Sequence, residues 1–129
     1  MSRSIGALFA VGLLWLAAPT TARAESFDSF CAEWMNKLAA REQANLKKME
    51  YSPKAGRMVG SYTGYDKVPI RCQSRAKPGS PGVGTLVYHE VRYQKAGDTP
   101  EAAKSSTPVV LEKTEVMEIF RYDGQKWKY

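Results

Sequence analysis

His89 is the only histidine in this chain of 129 residues, and it limits the chemistry the side chains can offer. One imidazole rules out a multi-histidine zinc site. Glu90 follows it directly, but neighbouring side chains on a strand leave opposite faces, so the two form no dyad. On the same reasoning His89 shares a face with Val87 and Val91, as a core or rim histidine. Glu112 and Glu118 share a face without Glu115, yet strand rise holds them roughly 20 Å apart, too far for two carboxylates to act on one bond. A G-x-S-x-G elbow is missing, and the glycines from Gly56 to Gly64 do not match a phosphate-cradling loop with its lysine. The residue types therefore point to no catalytic set, no metal and no cofactor.

Cys31 and Cys72 are the two cysteines. They lack C-x-x-C or haem-attachment spacing, and nothing near them in sequence would activate a thiolate. In an oxidising compartment two cysteines of a small domain most simply pair. The bridge would close a loop of about 40 residues, worth about 4 kcal/mol in the chain-entropy account.

Three groups of residues are candidates for binding. Glu42 and Asn45 interrupt an apolar helical stripe, and with His89 they would line a pocket between helix and sheet; an end of the helix overhanging the core is the simpler reading. Tyr62, Tyr65, Tyr88, Tyr122, Trp127 and Tyr129 come from several strands, as do Tyr93 and Phe120. They are either cross-strand pairs or a recognition face. The formal net charge of +6 is concentrated between Lys37 and Lys77, where acids are limited to Glu42, Glu50 and Asp66. Lys47, Lys48, Lys54, Arg57, Arg71, Arg75 and Lys77 are the candidates there for an anionic partner such as phosphate, lipid or acidic polysaccharide. Aromatics are not interleaved with these cations in a nucleic-acid pattern, so no nucleic acid is expected.

The elements that must position these residues follow a leader. Arg3, an apolar run from Ile5 to Ala18, Pro19 and Ala22-Arg23-Ala24 have the order of a secretory signal peptide, and the run is too short for a span of roughly 20 residues. Residues 1–24 read as the leader and 25–129 as one domain, exported to a periplasm or the exterior, with no transmembrane anchor. Glu25 to Glu50 reads as an amphipathic helix: Phe27, Phe30, Cys31, Trp34 and Leu38 recur at three- and four-residue spacing. Ser26 or Asp28 caps it, and Pro53 forbids its continuation. Strands follow over Arg57–Tyr65, Val68–Ser74, Gly84–Gln94 and Val109–Tyr122. A type I′ turn at Asp123-Gly124 leads into Gln125–Tyr129. Gly97 to Pro108 reads as a mobile connection.

The fold expected is α+β, one N-terminal amphipathic helix packed on a four- to five-stranded antiparallel sheet and clamped by the disulfide. In element order this resembles the cystatin-like and NTF2-like folds. The resemblance carries no residue: Met58-Val59-Gly60 lacks the glutamine two positions before the valine that the cystatin inhibitory loop has. The function expected is a non-enzymatic binding or accessory protein of the cell envelope, meeting an envelope protein or an anionic surface through the basic segment or a sheet face. The alternatives are a small-molecule carrier or enzyme with an NTF2-like helix–sheet pocket, and a structural subunit of an envelope assembly; a homo-oligomer is a further expectation.

Overall fold

The computed structural model describes residues 25–76, 78–79 and 81–129; the leader reading and Lys77 fall outside them. Helix α1 runs from Phe27 to Lys48. Ser26 caps it, its side chain accepting from the Ser29 N–H at 3.1 Å, and Asp28 and Lys47-Lys48 complement the helix dipole at its two ends. Phe27, Cys31, Met35 and Leu38 form its buried stripe. The helix thus opens the described domain rather than the chain.

A six-stranded antiparallel sheet packs against it. Its strands are β1 (Ser52–Lys54), β2 (Arg57–Tyr65), β3 (Arg71–Arg75), β4 (Val83–Gly97), β5 (Val109–Tyr122) and β6 (Trp127–Lys128). The order is β1-β2-β4-β5-β6, with β3 also paired to β4. β4 is the backbone of the sheet. One of its edges takes β2 from Tyr65↔Glu90 onward and β3 from Arg71↔Val87 onward, so β2 and β3 form one line interrupted by residues 66–70. That interruption is anchored at both ends, with the Asp66 N–H donating to His89 O and the Ile70 N–H to Val87 O. The expected strand therefore starts at Arg71, and Val68 lies in the connection, 77% exposed.

The helix crosses from a face of this sheet to its edge. Phe27 packs over Gly84, where a Cβ would overlap the phenyl ring. Further along, Glu42 Oε1 accepts from the Tyr65 N–H at 2.7 Å and Asn45 Nδ2 donates to Thr63 O at 2.9 Å. β1 pairs with β2 only over Arg57–Val59, so the rest of that edge would otherwise leave backbone groups without a strand partner. Side chains of α1 supply some of those partners. The polar interruption of the stripe is thereby explained, and overhang does not describe it.

The core joins Phe27, Cys31, Met35 and Leu38 of α1 to Leu86, Tyr88 and Phe120 of the sheet. The Cys31–Cys72 disulfide ties α1 to β3, with Cα atoms 6.4 Å apart. Three local expectations need correction. Gly97 to Pro108 contains a helix, α2 (Pro100–Ser105), nucleated by Thr99 as N-cap with Pro100 in the first turn. The β1–β2 hairpin was not expected; Ala55 and Gly56 both take positive φ, as a type I′ turn requires. At Asp123-Gly124 the pairing resumes only at Tyr122↔Trp127, because Asp123 Oδ1 accepts from the N–H groups of Gln125 and Lys126 and widens the loop.

Candidate functional site

The three pocket candidates are divided by the geometry. Glu42 and Asn45 lie side by side on the β2 edge, each spent on a backbone group of β2. His89 sits elsewhere, its Nδ1 3.3 Å from Asp66 Oδ2, and the same oxygen lies 3.2 Å from Lys113 Nζ. Asp66, in the interruption between β2 and β3, is thus shared between an imidazole of β4 and an ammonium of β5. All three side chains are partly exposed. An aspartate can orient a histidine for base catalysis, but no serine, threonine or cysteine is hydrogen-bonded to this pair among the described residues. Among those residues, no group of three His, Cys, Asp or Glu could hold a metal ion.

The aromatic candidates are likewise dispersed. Tyr62 stacks on Tyr93 at 5.2 Å between ring centroids, while Tyr65 meets Tyr88 edge-on at 6.1 Å. Tyr122 and Trp127 lie 5.0 Å apart, and Trp127 also contacts Phe27. Tyr129 stacks on Trp34, 83% exposed. Tyr88 is buried and donates to Glu118 Oε1 at 3.1 Å. Desolvation raises its phenol to about 12, the Trp34 indole works against that rise, and the Glu118 carboxylate adds to it. These rings brace the sheet and the helix; they do not converge on one surface.

The cations fall into two groups at different places. Lys48 and Lys54 line a hollow of about 690 Å³ beside Glu50 and Tyr62, with Lys47 in the last turn of α1. Arg57 lies 3.7 Å from Asp98. Arg71 and Arg75 are on β3 instead, and cross-strand register shows what surrounds them. Arg75 pairs with Val83, which pairs with Arg121, which pairs with Lys128. The next row of the same face is Gln73, Thr85 and Ile119, and the next is Arg71, Val87 and Met117. Directly paired residues share a face, and this one is opposite to Gly84, Leu86 and Phe120 beneath α1. It is the outer face of the sheet.

That face has an unusual make-up. Val83, Met117 and Ile119 are 41%, 54% and 57% exposed. Arg71, Arg75 and Arg121 stand around them, and none of the three has a carboxylate within ion-pair distance among the described residues. Lys128 is held by Asp123 at 3.0 Å. Arg71, Gln73, Arg75, Val83 and Thr85 enclose a shallow hollow of about 190 Å³. Guanidinium groups over an aliphatic floor suit a ligand that is anionic at its head and apolar behind it.

Sequence reasoning named Arg71 and Arg75 but missed Arg121, Met117 and Ile119. The signal was present in the alternation of β5, where Met117, Ile119 and Arg121 fall on one face and Val116, Glu118 and Phe120 on the other. Both sets contain apolar residues, so the pattern alone did not say that one set stays in water. Asp66 was also missed, because only the interruption between β2 and β3 carries it to His89.

A second hollow, of about 820 Å³, opens at the start of α1. Phe27, Tyr122 and Trp127 floor it, and Glu25, Asp28, Asp123 and Arg75 stand at its rim. The Trp127 indole donates to Glu25 O at 3.2 Å, and the Trp127 N–H donates to the Glu25 carboxylate at 3.1 Å. No family model, no curated protein and no solved structure matches this chain.

Proposed function

We propose that this is a non-enzymatic binding or accessory protein of the cell envelope that meets an anionic lipid surface through the outer face of β3, β4 and β5. The carrying observation is the trio Arg71, Arg75 and Arg121, free of carboxylate partners among the described residues, set around the exposed Val83, Met117 and Ile119. Guanidinium forks suit phosphate oxygens, and aliphatic side chains between them gain by entering the headgroup boundary. No helix among the described residues is long and apolar enough to cross a membrane, so this contact would be peripheral. Export is part of the proposal: the leader pattern and the disulfide, a bond that persists in oxidising compartments, both favour it.

Vesicle co-sedimentation tests the reading. The protein is expected to bind phosphatidylglycerol vesicles, to release them as salt rises, and to ignore neutral phosphatidylcholine. Replacing Arg71, Arg75 and Arg121 together by Gln should weaken binding about 100-fold, at roughly 1 kcal/mol for each charge near the surface. Replacing Lys47 and Lys48 should change it far less. Retention that is independent of salt or of vesicle charge overturns the proposal.

The carrier reading finds one specific support, the hollow floored by Phe27, Tyr122 and Trp127. A native mass spectrum of protein recovered from its own compartment, carrying a reproducible excess mass that Trp127→Ala abolishes, would move that reading ahead.

A further inference from the structure

β5 is fourteen residues long and is an edge strand over most of its length. β6 pairs only with Arg121 and Tyr122. From Val109 to Phe120 its outer side has no strand neighbour among the described residues. Such an edge is normally short, charged or covered, because its unpaired backbone groups template another strand. This one displays Val109, Leu111, Met117 and Ile119, each at least half exposed, on either side of the charged centre Glu112-Lys113-Thr114-Glu115.

The sequence of that edge is complementary to itself. In an antiparallel pair both members of a directly opposed couple must turn their backbone groups the same way, so a two-fold axis has to pass through a residue and not between two. With the axis at Thr114, Lys113 faces Glu115 of the second copy, and by symmetry Glu115 faces its Lys113. Glu112 then faces Val116, and no like charges are opposed. Moving the axis to Glu112, Lys113 or Glu115 opposes that residue to its own copy, charge against like charge. Moving it to Val116 leaves Glu115 against Met117 and Lys113 against Ile119. Thr114 is therefore the centre that pairs Lys113 with Glu115 and opposes no like charges.

We infer that β5 pairs with β5 of a second copy of this chain, antiparallel and centred on Thr114, joining two sheets into one. The register shift between Arg92 and Tyr93 of β4 leaves Leu111 as an extra residue on β5. That bulge confines the regular ladder to Glu112–Val116 and keeps the contact small, so a weak dimer is expected. Because β6 covers the strand only from Arg121, the partner strand fits over Glu112–Val116 without displacing it. The two outer faces then lie side by side, bringing six arginines onto one continuous surface. The pairing itself stands on the edge alone and does not depend on what that surface binds.

Sedimentation equilibrium of the purified protein, disulfide intact, tests this. A monomer–dimer equilibrium is expected. Glu115→Lys sets an ammonium opposite Lys113 of the other copy and should weaken the dimer about tenfold or more. Lys113→Glu should do the same by opposing carboxylates, although it also gives up the contact with Asp66. The double variant K113E/E115K inverts both pairs and should restore the wild-type dissociation constant. Circular dichroism checks that Glu115→Lys, an exposed change, keeps the fold. A protein that stays monomeric at hundreds of micromolar overturns the inference. So does a dimer indifferent to Glu115→Lys, or one that the double variant fails to restore.

Discussion

The two faces of one sheet differ more than an antiparallel sheet requires. Beneath α1, Phe120 is wholly buried and in ring contact with Phe27, Phe30, Trp34 and Tyr129, and the disulfide closes the layer. One residue away along β5, Ile119 stands 57% exposed among arginines. An antiparallel sheet commonly solvates one face, and that face then reads as polar. Here the outer face keeps exposed aliphatic residues at Val83, Met117 and Ile119, while Val87 of the same face is buried. Neighbouring side chains of one strand therefore meet different surroundings, Phe120 the packed core of the domain and Ile119 water.

The sharpest way to break this contrast is to shorten both residues. Phe120→Ala should cost about 3–5 kcal/mol, since it opens a cavity in a core that is small. Ile119→Ala should fall within about 0.5 kcal/mol of wild type. Urea denaturation reads both, and a comparable loss at the two positions would erase the distinction between the faces. Next in size is the clamp. Replacing Cys31 and Cys72 together by Ser should lower stability by about 4 kcal/mol, as removing a loop closure of this length implies, and should leave vesicle binding by the folded fraction unchanged because β3 presents its arginines on the other side. A loss of only a few tenths in the same denaturation experiment would show that the aromatic layer holds without it.

Smaller effects come from titration. The Tyr88 phenol is neutral in the fold up to about 12, against 10.0 for the free group, because burial disfavours its anion. Its folded pKa is raised, so its contribution is complete below pH 10 and is lost as pH climbs towards 12. A phenolate absorbance titration should show Tyr88 among the late tyrosines, and Tyr88→Phe should remove one late step. Asp123 behaves in the opposite sense. The N–H groups of Lys126 and Gln125, then Lys128, hold its carboxyl at about 2, against 3.8 when free. Its folded pKa is depressed, so its support for the β5–β6 loop is complete above pH 4 and fades as pH falls towards 2. Asp123→Asn should produce the smallest change, a local loosening seen as faster amide exchange at Gln125 and Lys126 with little shift in the global midpoint.

How far the fold could be read from the chain depends on how local each signal is. The helix was legible because Ser26, the three- and four-residue spacing of Phe27, Cys31 and Leu38, and Pro53 are all near in sequence. β5 was legible to its ends, Val109 and Tyr122, because β-branched and aromatic residues run between a Ser- and Pro-rich stretch and a turn. The short helix at Pro100–Ser105 was missed although Thr99-Pro100-Glu101 is a serviceable start, since Ser105-Ser106-Thr107 weighed towards a loop. The candidate site was less legible. Arg71 and Arg75 were visible as charge, but Arg121 joins them only because β3 and β5 both pair with β4 and align their rows.

The sequence by itself determined the class of the fold and the pairing of the cysteines, since these rest on composition, spacing and short-range periodicity. Tertiary structure alone decided where the polar and charged residues act. Glu42 and Asn45 could line a pocket or satisfy a strand edge, and only the crossing of α1 over β2 selects the edge. Val83, Met117 and Ile119 could be buried or exposed, and the packing of α1 leaves them in water. The physical reason is the same in both cases: a side chain's type is local, whereas the unpaired backbone group or the uncovered area it meets is set by elements far away in the chain.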